Sequence, residues 1–533
     1  MKIDLYLKKL TLLYIMRKHT TLLTTAILLF GASITQVEAQ VDEAMTKKII
    51  EEATTSSQLE VLAHELLDVI GPRLVGSPEM KQAHDWVIST YNKWGIAAEN
   101  QAYGEWKAWQ RGATVATMTS PRIQSLQATQ LAWSPATKKT VEAEVVHIPD
   151  IKTKEEFENW AKTIKGKIVL ASPYYASGRS EDQWKENATK EDFDAYMTAK
   201  SKVNTSLNPA IIASGTRTLS EFCKALENKG AVGIVQSNWA GMIGSNRIFD
   251  AKTEKIPVVD VSYEDFSMLY RFSAFGHPAK IKLEVDNKHL GSAPTFNTIA
   301  TIPGTSKADE YVILSAHLDS WDGAQGACDN GTGTILMMEV ARIIKKLDPN
   351  PKRTIIIGHW GSEEQGLNGS RAYVIDQPEV IKNTKVLFNQ DSGTGRINRI
   401  TGQGFVHSYD YLGKWLSKVP KEYSQYIQTN FPDMPQNGGT DNASFVAAGI
   451  PAFNLSTQGW NYGSYTWHTN RDTYDKIVFE EVQRNVITTA ILTIEAANDE
   501  NEISNERRVL PLNEKGEATE WPTIKEPTRK GRL

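Results

Sequence analysis

Apolar runs and amphipathic stretches alternate along the second half of the chain. Residues 311–316, 354–358 and 386–389 are apolar runs that predict buried strands, and apolar positions at helical spacing predict helices over 331–347 and 369–376. Two consecutive strand–helix–strand units imply parallel strands with right-handed crossovers. We therefore predict an α/β fold with a mostly parallel central sheet and helices on both faces.

The first half of the chain shows two other patterns. Apolar residues recur at helical spacing from 41 to 110, apart from a turn-rich stretch at 71–77, and predict helices that cover a sheet. From 132 to 290 the chain contains short runs rich in Val and Ile, which predict strands. These strands are expected at 141–148, 167–171, 233–236, 256–261 and 280–285, with a helix at 222–228 and a charged surface excursion at 177–202.

The change of pattern suggests how the chain is divided into domains. A length of 533 residues is enough for two or three domains. We predict a catalytic domain in two parts, 40–131 and 291–500, and an inserted β-rich domain at 132–290. The predicted insertion contains no cluster of His, Cys and carboxylate residues at ligand spacing, so we do not expect it to carry the chemistry.

Both ends of the chain have a distinct composition. A basic stretch at 16–18, an apolar run at 22–34 and small residues at 37–39 indicate a signal peptide over 1–39 and an exported protein, periplasmic or secreted. A membrane anchor is the alternative, but the apolar run is shorter than the roughly 20 residues that a spanning helix needs. The segment 501–533 is polar and contains three prolines, and we expect it to be poorly ordered.

Overall composition excludes some classes of protein. Hydrophobic residues make up 40% and charged residues 23% of the chain, which is typical of a soluble globular protein. The formal net charge is −4, and a nucleic-acid partner is not expected because such proteins usually present a basic field. The two cysteines, Cys223 and Cys328, fall in different predicted domains, so we expect buried free thiols.

Residues that suit a metal ion follow each predicted strand of the second half. In open α/β sheets, ligands bind beyond the carboxyl ends of the strands, and zinc takes nitrogen and carboxylate oxygen ligands. Acidic groups gathered at one sheet edge would repel each other, so a bound cation is the simplest reason to bring them together. The candidate ligands and their neighbours are His317, Asp319, Asp329, Glu363, Glu364, Asp391, His468 and Asp472.

These residues stand in motifs that resemble those of a known enzyme family. The chain is similar to the co-catalytic di-zinc exopeptidases, of the bacterial leucyl aminopeptidase and plasma glutamate carboxypeptidase type, and residues 132–290 resemble the protease-associated domain inserted in many of them. The motifs are His317-x-Asp319, Asp329-Asn330-Gly331, Glu363-Glu364-Gln365-Gly366, Asp391-Ser392-Gly393 and His468-Thr469-x-x-Asp472. The turn-rich stretch at 71–77 most resembles the plasma glutamate carboxypeptidase branch.

The resemblance implies two Zn²⁺ ions per chain and a role for each motif residue. Asp329 would bridge the ions, and Glu363 would act as the general base. Asp319 and Asp472 would hold the imidazoles of His317 and His468 in the right tautomer. The remaining implied ligands are His317 and Asp391 on one ion and Glu364 and His468 on the other.

The substrate pocket departs from the family pattern at one position. Some relatives carry a tyrosine directly before the last histidine to stabilise the oxyanion, and this chain has Trp467 there. Tyr465 or Tyr462 could take that role. Asp441, in a stretch that resembles a family loop near the site, is a candidate for a supporting or substrate contact, as are Tyr465 and Trp467.

The predicted function is an exported di-zinc exopeptidase that hydrolyses the terminal bond of dipeptides or short peptides, with an aminopeptidase favoured. The alternatives are a carboxypeptidase or dipeptidase of the plasma glutamate carboxypeptidase type, a glutaminyl cyclase with one zinc, and a catalytically inactive binding protein. Peptides are the expected partners, and no membrane partner is expected after signal cleavage. End specificity and oligomeric state, including a homodimer, are left open by the motifs.

Overall fold

The computed structural model describes residues 43–531. The predicted signal peptide lies outside the described residues. Across residues 43–531, no helix combines the length and the apolar character needed to cross a membrane.

A mixed sheet forms the centre of the catalytic part, as predicted. Its parallel strands, in spatial order, are Ala452–Asn454, Thr384–Asn389, Lys307–His317 and Arg353–Trp360. The strand Lys280–Ile302 joins Arg353–Trp360 in antiparallel register, and Ala97–Ser120 pairs antiparallel with Lys280–Ile302. Every residue of Arg353–Trp360 is buried, because the strand is covered on both faces and its centre, 355–357, is apolar.

Helices cover both faces of this sheet. Thr332–Leu347 and Phe479–Asn498 pack on one face, and Asn368–Asp376 and Asn442–Ala447 pack on the other. Side chains of successive strand residues point to opposite faces, so Leu314 belongs to the first core and its neighbour Ile313 to the second. The predicted α/β architecture is confirmed.

Further helices and a small sheet complete the catalytic part. Helices on the N-terminal side span 43–55, Leu59–Ala63, His64–Ile70 and Pro78–Lys93. Those on the C-terminal side span Pro378–Asn383, Ser408–Leu416, Lys421–Ser424, Tyr462–Tyr465 and Tyr474–Lys476. The small sheet consists of Gln428–Asn430, Ile397–Thr401 and Ser456–Thr457.

One predicted helical stretch is a strand. Residues 97–110, expected to be helical, form the first half of Ala97–Ser120, which pairs with Lys280–Ile302 along almost its whole length. This long two-stranded ribbon runs from the catalytic sheet into the middle block of the chain. The local pattern was misleading because the partner strand lies almost two hundred residues away, and pairing of this kind overrides local propensity.

The middle block contains both strands and helices. Its strands Val141–His147, Ile168–Leu170, Gly233–Gln236 and Val258–Val261 are parallel neighbours, and Ala128–Gln130 closes the edge in antiparallel register. The block has hydrophobic cores of its own. Its helices are Lys154–Ala161, Asn208–Ala213, Leu219–Asn228 and Tyr263–Ala274, so the block is less β-rich than the sequence suggested. The boundaries 132 and 290 stay a prediction.

The charged excursion lies on the surface, as predicted. Its helices Glu181–Asn187 and Lys190–Asn204 contain no buried residue. Lys, Asp and Glu dominate the stretch, and such side chains are rarely buried. Two of its aromatic residues, Trp184 and Tyr196, stack on each other with ring centroids 4.6 Å apart, so they hold the two helices together.

The C-terminal segment from residue 501 packs against the rest of the protein, whereas the sequence predicted that it would be poorly ordered. Lys530–Gly531 pairs with the ribbon strand at Glu105 and Trp106, and Trp521 packs against buried Phe405 with ring centroids 5.5 Å apart. A few aromatic and backbone contacts are enough to hold a polar segment whose composition alone indicated disorder. The prediction of free, buried cysteines is confirmed for both thiols.

Candidate metal centre and active site

Three strand ends bring the candidate ligands to one edge of the sheet. His317 is the last residue of Lys307–His317, Glu363 and Glu364 follow Arg353–Trp360, and Asp391 follows Thr384–Asn389. Parallel pairing in matched register, with Trp360 opposite His317, puts these ends at the same level. This is the sheet edge at which the sequence analysis expected a site.

Two groups of ligand atoms meet at Asp329. His317 Nε2 lies 3.4 Å from Asp329 Oδ1 and 3.3 Å from Asp391 Oδ1. His468 Nε2 lies 3.2 Å from Asp329 Oδ2 and 2.8 Å from Glu364 Oε2. Each of the two triads could hold a metal ion, and Asp329 gives one carboxylate oxygen to each.

The residues fit zinc in type and spacing. Ligand atoms about 2.0–2.2 Å from a tetrahedral ion lie roughly 3.4 Å from each other, which is close to the separations of Asp329 from both histidines. In addition, His317 Nε2 and Asp329 Oδ2 are buried and have no hydrogen-bond partner within residues 43–531. Buried polar atoms without partners are costly, and a cation between them removes that cost.

The electrostatics of the group follow from burial and crowding. Burial, and then Asp329, raise the pKa of Glu364 to about 7. Burial raises the pKa of Glu363 well above its ordinary value, with Asp391 and Asp441 adding to the shift and His317 opposing it. Burial alone would raise the pKa of Asp329 too, but the imidazoles of His317 and His468, whose Nε2 atoms lie 3.4 and 3.2 Å from its carboxylate oxygens, hold it well below its ordinary value.

Asp319 connects the first two strand ends. Its carboxylate accepts hydrogen bonds from the backbone N–H groups of Glu363, at 3.0 Å, and Glu364, at 3.2 Å. Its backbone carbonyl lies 3.0 Å from His317 Nδ1, whereas its carboxylate is 3.5 Å away. Asp319 therefore contacts His317 mainly through its main chain, while its carboxylate holds the two glutamates; its predicted role in fixing the His317 tautomer stays a prediction.

Asp472 has a different partner from the predicted one. Its carboxylate accepts hydrogen bonds from the backbone N–H groups of Cys328, at 2.7 Å, and Asp329, at 3.0 Å. His468 Nδ1 has no hydrogen-bond partner among the described residues, so the prediction that Asp472 orients His468 is wrong. The family resemblance implied that contact, but His468 adopts a left-handed backbone conformation, φ 59°, and the Asp472 carboxylate binds the Asp329 loop.

Arg73 is a residue of the site that the sequence analysis missed. It is fully buried, and its guanidinium donates to the carbonyls of Leu318, Gly71, Gln325 and Gly326 at 2.7–3.0 Å. It thereby ties the segment after His317 to the loop that precedes Asp329. The sequence offered the turn-rich stretch at 71–77, which resembles a family stretch, but gave Arg73 itself no role; the structure confirms the turn.

The candidate substrate residues separate into two groups. Tyr462 packs against Gly393, two residues after Asp391, and burial together with Asp329 and Asp391 raises its pKa well above the ordinary value. Tyr465 instead lies against Lys476, whose Nζ is 5.5 Å from the ring. Trp467 is 37% exposed and stacks on His468 with centroids 3.9 Å apart. Of the two tyrosines that the sequence left open, Tyr462 is the one beside the ligands.

Asp441 is fully buried and close to Glu363. Neither of its carboxylate oxygens has a hydrogen-bond partner within residues 43–531. Burial raises its pKa to about 7, with Asp391 adding to the shift and His317 opposing it. A buried side chain in this position is suited to shaping the charge around Glu363 rather than to contacting a substrate.

The chain also resembles known proteins. Residues 297–492 match the model of Peptidase family M28. Carboxypeptidase Q of Mus musculus is 28% identical over 79% of this chain and 81% of its own length. Aminopeptidase YwaD of Bacillus subtilis is 28% identical over 60% of this chain and 66% of its own length.

Solved structures show the same likeness in the fold. A peptidase M28 precursor from Shewanella amazonensis has 25% sequence identity and a TM-score of 0.64, and the match covers 89% of this chain and all of that one. The zinc aminopeptidase BSAP from Bacillus subtilis has 19% identity and a TM-score of 0.54 over 84% of this chain and 97% of that one.

Proposed function

Because this chain belongs to peptidase family M28 and is a zinc metallopeptidase, we propose that it is an exopeptidase that removes terminal residues from dipeptides and short peptides. The observation that carries the proposal is the position of Asp329 between two triads of ligand atoms. A carboxylate shared in this way is the arrangement expected for a pair of ions about 3.5–4 Å apart.

His317 and Asp391 would hold one ion, Glu364 and His468 the other, and Asp329 both. When bound, two such ions supply Lewis acidity that polarises the scissile carbonyl and eases ionisation of the attacking water. The protein's own groups would do the rest of the work. Asp319 holds Glu363 and Glu364 side by side through their backbone N–H groups. In the proposed arrangement, Glu364 would be a ligand and Glu363 would stay free.

Glu363 would act as the general base. Its raised pKa suits a carboxylate that takes a proton from the attacking water and passes it to the leaving amine. Tyr462 would stabilise the developing oxyanion by donating a hydrogen bond from its hydroxyl, and the raised pKa of the phenol keeps that hydroxyl protonated. Trp467, exposed beside His468, would form an apolar surface for the substrate.

The two adjacent glutamates allow a direct test of these roles. Glu363→Gln should retain two zinc ions per chain and lose about 10²–10⁴-fold in kcat, since the amide cannot accept the proton. Glu364→Gln should lose one zinc ion as well as activity. Zinc content by elemental mass spectrometry and peptide turnover on the same samples separate the two outcomes. Strong activity in Glu363→Gln, or zinc lost from it, would show that the glutamates are assigned wrongly.

End specificity can be settled with one pentapeptide in three forms: unblocked, N-acetylated and C-amidated. An aminopeptidase, the favoured hypothesis, should shorten the unblocked and amidated forms and leave the acetylated form intact. A carboxypeptidase should shorten the unblocked and acetylated forms and leave the amidated form intact, and the longer match to Carboxypeptidase Q makes this the second candidate. Zinc-loaded protein that leaves all three forms and a panel of dipeptides intact would contradict the proposal.

The same measurements address the remaining alternatives. A single tightly bound zinc, together with cyclisation of N-terminal glutamine, would indicate a glutaminyl cyclase. We also propose export, on the pattern of residues 1–39. N-terminal sequencing of protein recovered from the periplasm or medium should then begin at Gln40, and an intact N-terminus on cell-retained protein would argue against it.

A further inference from the structure

No protein group among residues 43–531 accepts a hydrogen bond from the second ring nitrogen of His468. Metal-binding histidines normally donate their second ring nitrogen to a carboxylate, carbonyl or water, which fixes the ring and its tautomer. His468 Nδ1 is buried and has no partner within residues 43–531, although Nε2 points at Glu364 and Asp329. Its backbone is also in the left-handed region, which non-glycine residues adopt only when their surroundings hold them there. The protein contacts that hold the ring therefore come from the backbone and from neighbouring aromatic side chains.

The backbone around His468 is held by the middle block of the chain. Ile248 N–H donates to the carbonyl of His468 at 2.9 Å, and Asn470 N–H donates to the carbonyl of Asn246 at 2.9 Å. Asn246 N–H donates in turn to the side chain of Asn470 at 2.9 Å, and Arg247 pairs with Thr469 as an antiparallel bridge. Residues 244–249, which we call the clamp segment, thus form a short hydrogen-bonded ladder with residues 468–470.

The clamp segment is anchored in the sheet of the middle block. Asn246 is buried, and its side chain donates to Asp260 Oδ1 at 2.7 Å and to the carbonyl of Val261 at 2.8 Å. Both acceptors lie in the strand Val258–Val261. The position of His468 is therefore tied to the core of the middle block, more than two hundred residues away in sequence.

Aromatic rings enclose the imidazole. Phe249, at the end of the clamp segment, meets the His468 ring edge to face, with centroids 5.3 Å apart and planes at 84°. Trp467 stacks on it at 3.9 Å, and Trp321 lies 6.2 Å away. Phe249 and Trp321 also pack against each other, at 5.3 Å and 88°. Edge-to-face contacts have a preferred geometry, so this enclosure restricts rotation of the ring.

We propose that the clamp segment is a structural part of the metal centre and that Phe249 is the positioning residue that orients the His468 ring through its edge-to-face contact. The proposal rests on the proposed function, in which His468 is a ligand. The middle block contributes no residue to either triad of ligand atoms. The proposal nevertheless gives it a role in supporting the metal centre. The block would support one of the two ions selectively, since the clamp segment contacts the segment that carries His468.

The test compares Phe249→Leu with Phe222→Leu as a matched control. Phe222 is fully buried in the core of the middle block, against Phe157, so its replacement weakens the block without touching His468. Stepwise zinc affinity, measured by competition with a chelator, should fall about 10–100-fold for one ion in Phe249→Leu, the usual effect of losing an orienting partner. Both affinities should stay near the wild-type values in Phe222→Leu. Phe249→Tyr, which keeps the aromatic edge, should restore binding.

A second measurement does not depend on zinc. Amide hydrogen exchange of residues 463–472 in the chelator-treated protein should be faster in Phe249→Leu than in the wild type, and unchanged in Phe222→Leu. If Phe249→Leu fails to fold, Phe249→Met, whose flexible side chain fills a similar volume, takes its place. Wild-type zinc affinities and exchange in the Phe249 variant would overturn the positioning role. A wild-type protein that binds fewer than two zinc ions would instead refute the proposed function. The exchange data would still test whether Phe249 holds residues 463–472, because that measurement is made without zinc.

Discussion

Replacing Arg73 by methionine is expected both to lower the free energy of unfolding and to weaken zinc binding. Arg73 is fully buried and its guanidinium satisfies four backbone carbonyls in three separate stretches of chain, at Gly71, at Leu318 and at Gln325 and Gly326. Methionine has a comparable length but no donor, so the four carbonyls lose their partner inside the protein.

The size of the effect follows from opposing contributions. Hydrogen bonds from a charged donor contribute roughly 1.5–3 kcal/mol each, so four would contribute about 6–12 kcal/mol if they were additive. Burying the charge costs several kcal/mol, and this cost is seen in the pKa of Arg73, which burial lowers to about 10 against the attraction of Asp472 and Asp319. The difference leaves an expected loss of roughly 3–5 kcal/mol, the usual result of removing one member of a buried charged network.

The assay is urea unfolding followed by tryptophan fluorescence, with zinc and with a chelator, together with zinc content. Arg353→Met is the matched control. Arg353 is also almost fully buried, donates to the carbonyls of Ala496 and Asp499, and pairs with Glu310 at 2.7 Å, but it lies at the start of its strand, away from the ligands. Both variants should lose comparable stability, and only Arg73→Met should bind zinc more weakly.

Two results would refute this reasoning. An Arg73→Met protein that unfolds at nearly the wild-type urea concentration would mean that the four hydrogen bonds contribute little beyond the cost of burying the charge. Equal zinc affinity in the Arg73 and Arg353 variants would mean that the loop before Asp329 keeps its geometry without the guanidinium.

Two further predictions concern the active site and the core. Tyr462→Phe should lower kcat by roughly 10²–10³, as expected for one oxyanion donor, with zinc content and KM unchanged, whereas Tyr465→Phe should keep near-normal turnover in the same peptide assay. Burial lowers the pKa of both His84 and His359 to about 3, so the unfolded chain binds more protons than the folded one below about pH 6.5. The free energy of unfolding should keep its full value above that pH and should fall by roughly 1.4 kcal/mol per pH unit for each histidine as the pH drops toward 3. Urea unfolding of chelator-treated protein at several pH values measures this slope. His84→Gln should reduce the slope, and an unchanged slope would contradict the assignment.

The central strands and the ligand residues could be predicted from local sequence. The runs at 311–316, 354–358 and 386–389 are rich in Val, Ile, Leu and Phe, a composition typical of a strand buried on both faces. Because parallel strands end at the same edge, the strand pattern alone was enough to expect His317, Glu364 and Asp391 near one another.

Local sequence was a poor guide wherever a distant partner decides the structure. Residues 97–110 have a periodicity that predicts a helix, yet they pair with Lys280–Ile302. The segment 501–533 looks disordered by composition, yet its end adds a strand to the same ribbon. In both cases the backbone hydrogen bonds are made to residues far away in the chain, and no window of sequence contains both partners.

The same division holds within the active site. The sequence by itself determined which residue types stand at the strand ends, since zinc chemistry requires histidine and carboxylate side chains there. Only the tertiary structure decided what holds them: Arg73 reaches the Asp329 loop from a turn about 250 residues earlier, Asp472 holds that loop rather than His468, and Phe249 meets the His468 ring from the middle block. A ligand is specified by its own chemistry and its neighbours in sequence, whereas its orientation depends on packing between segments that folding alone brings together.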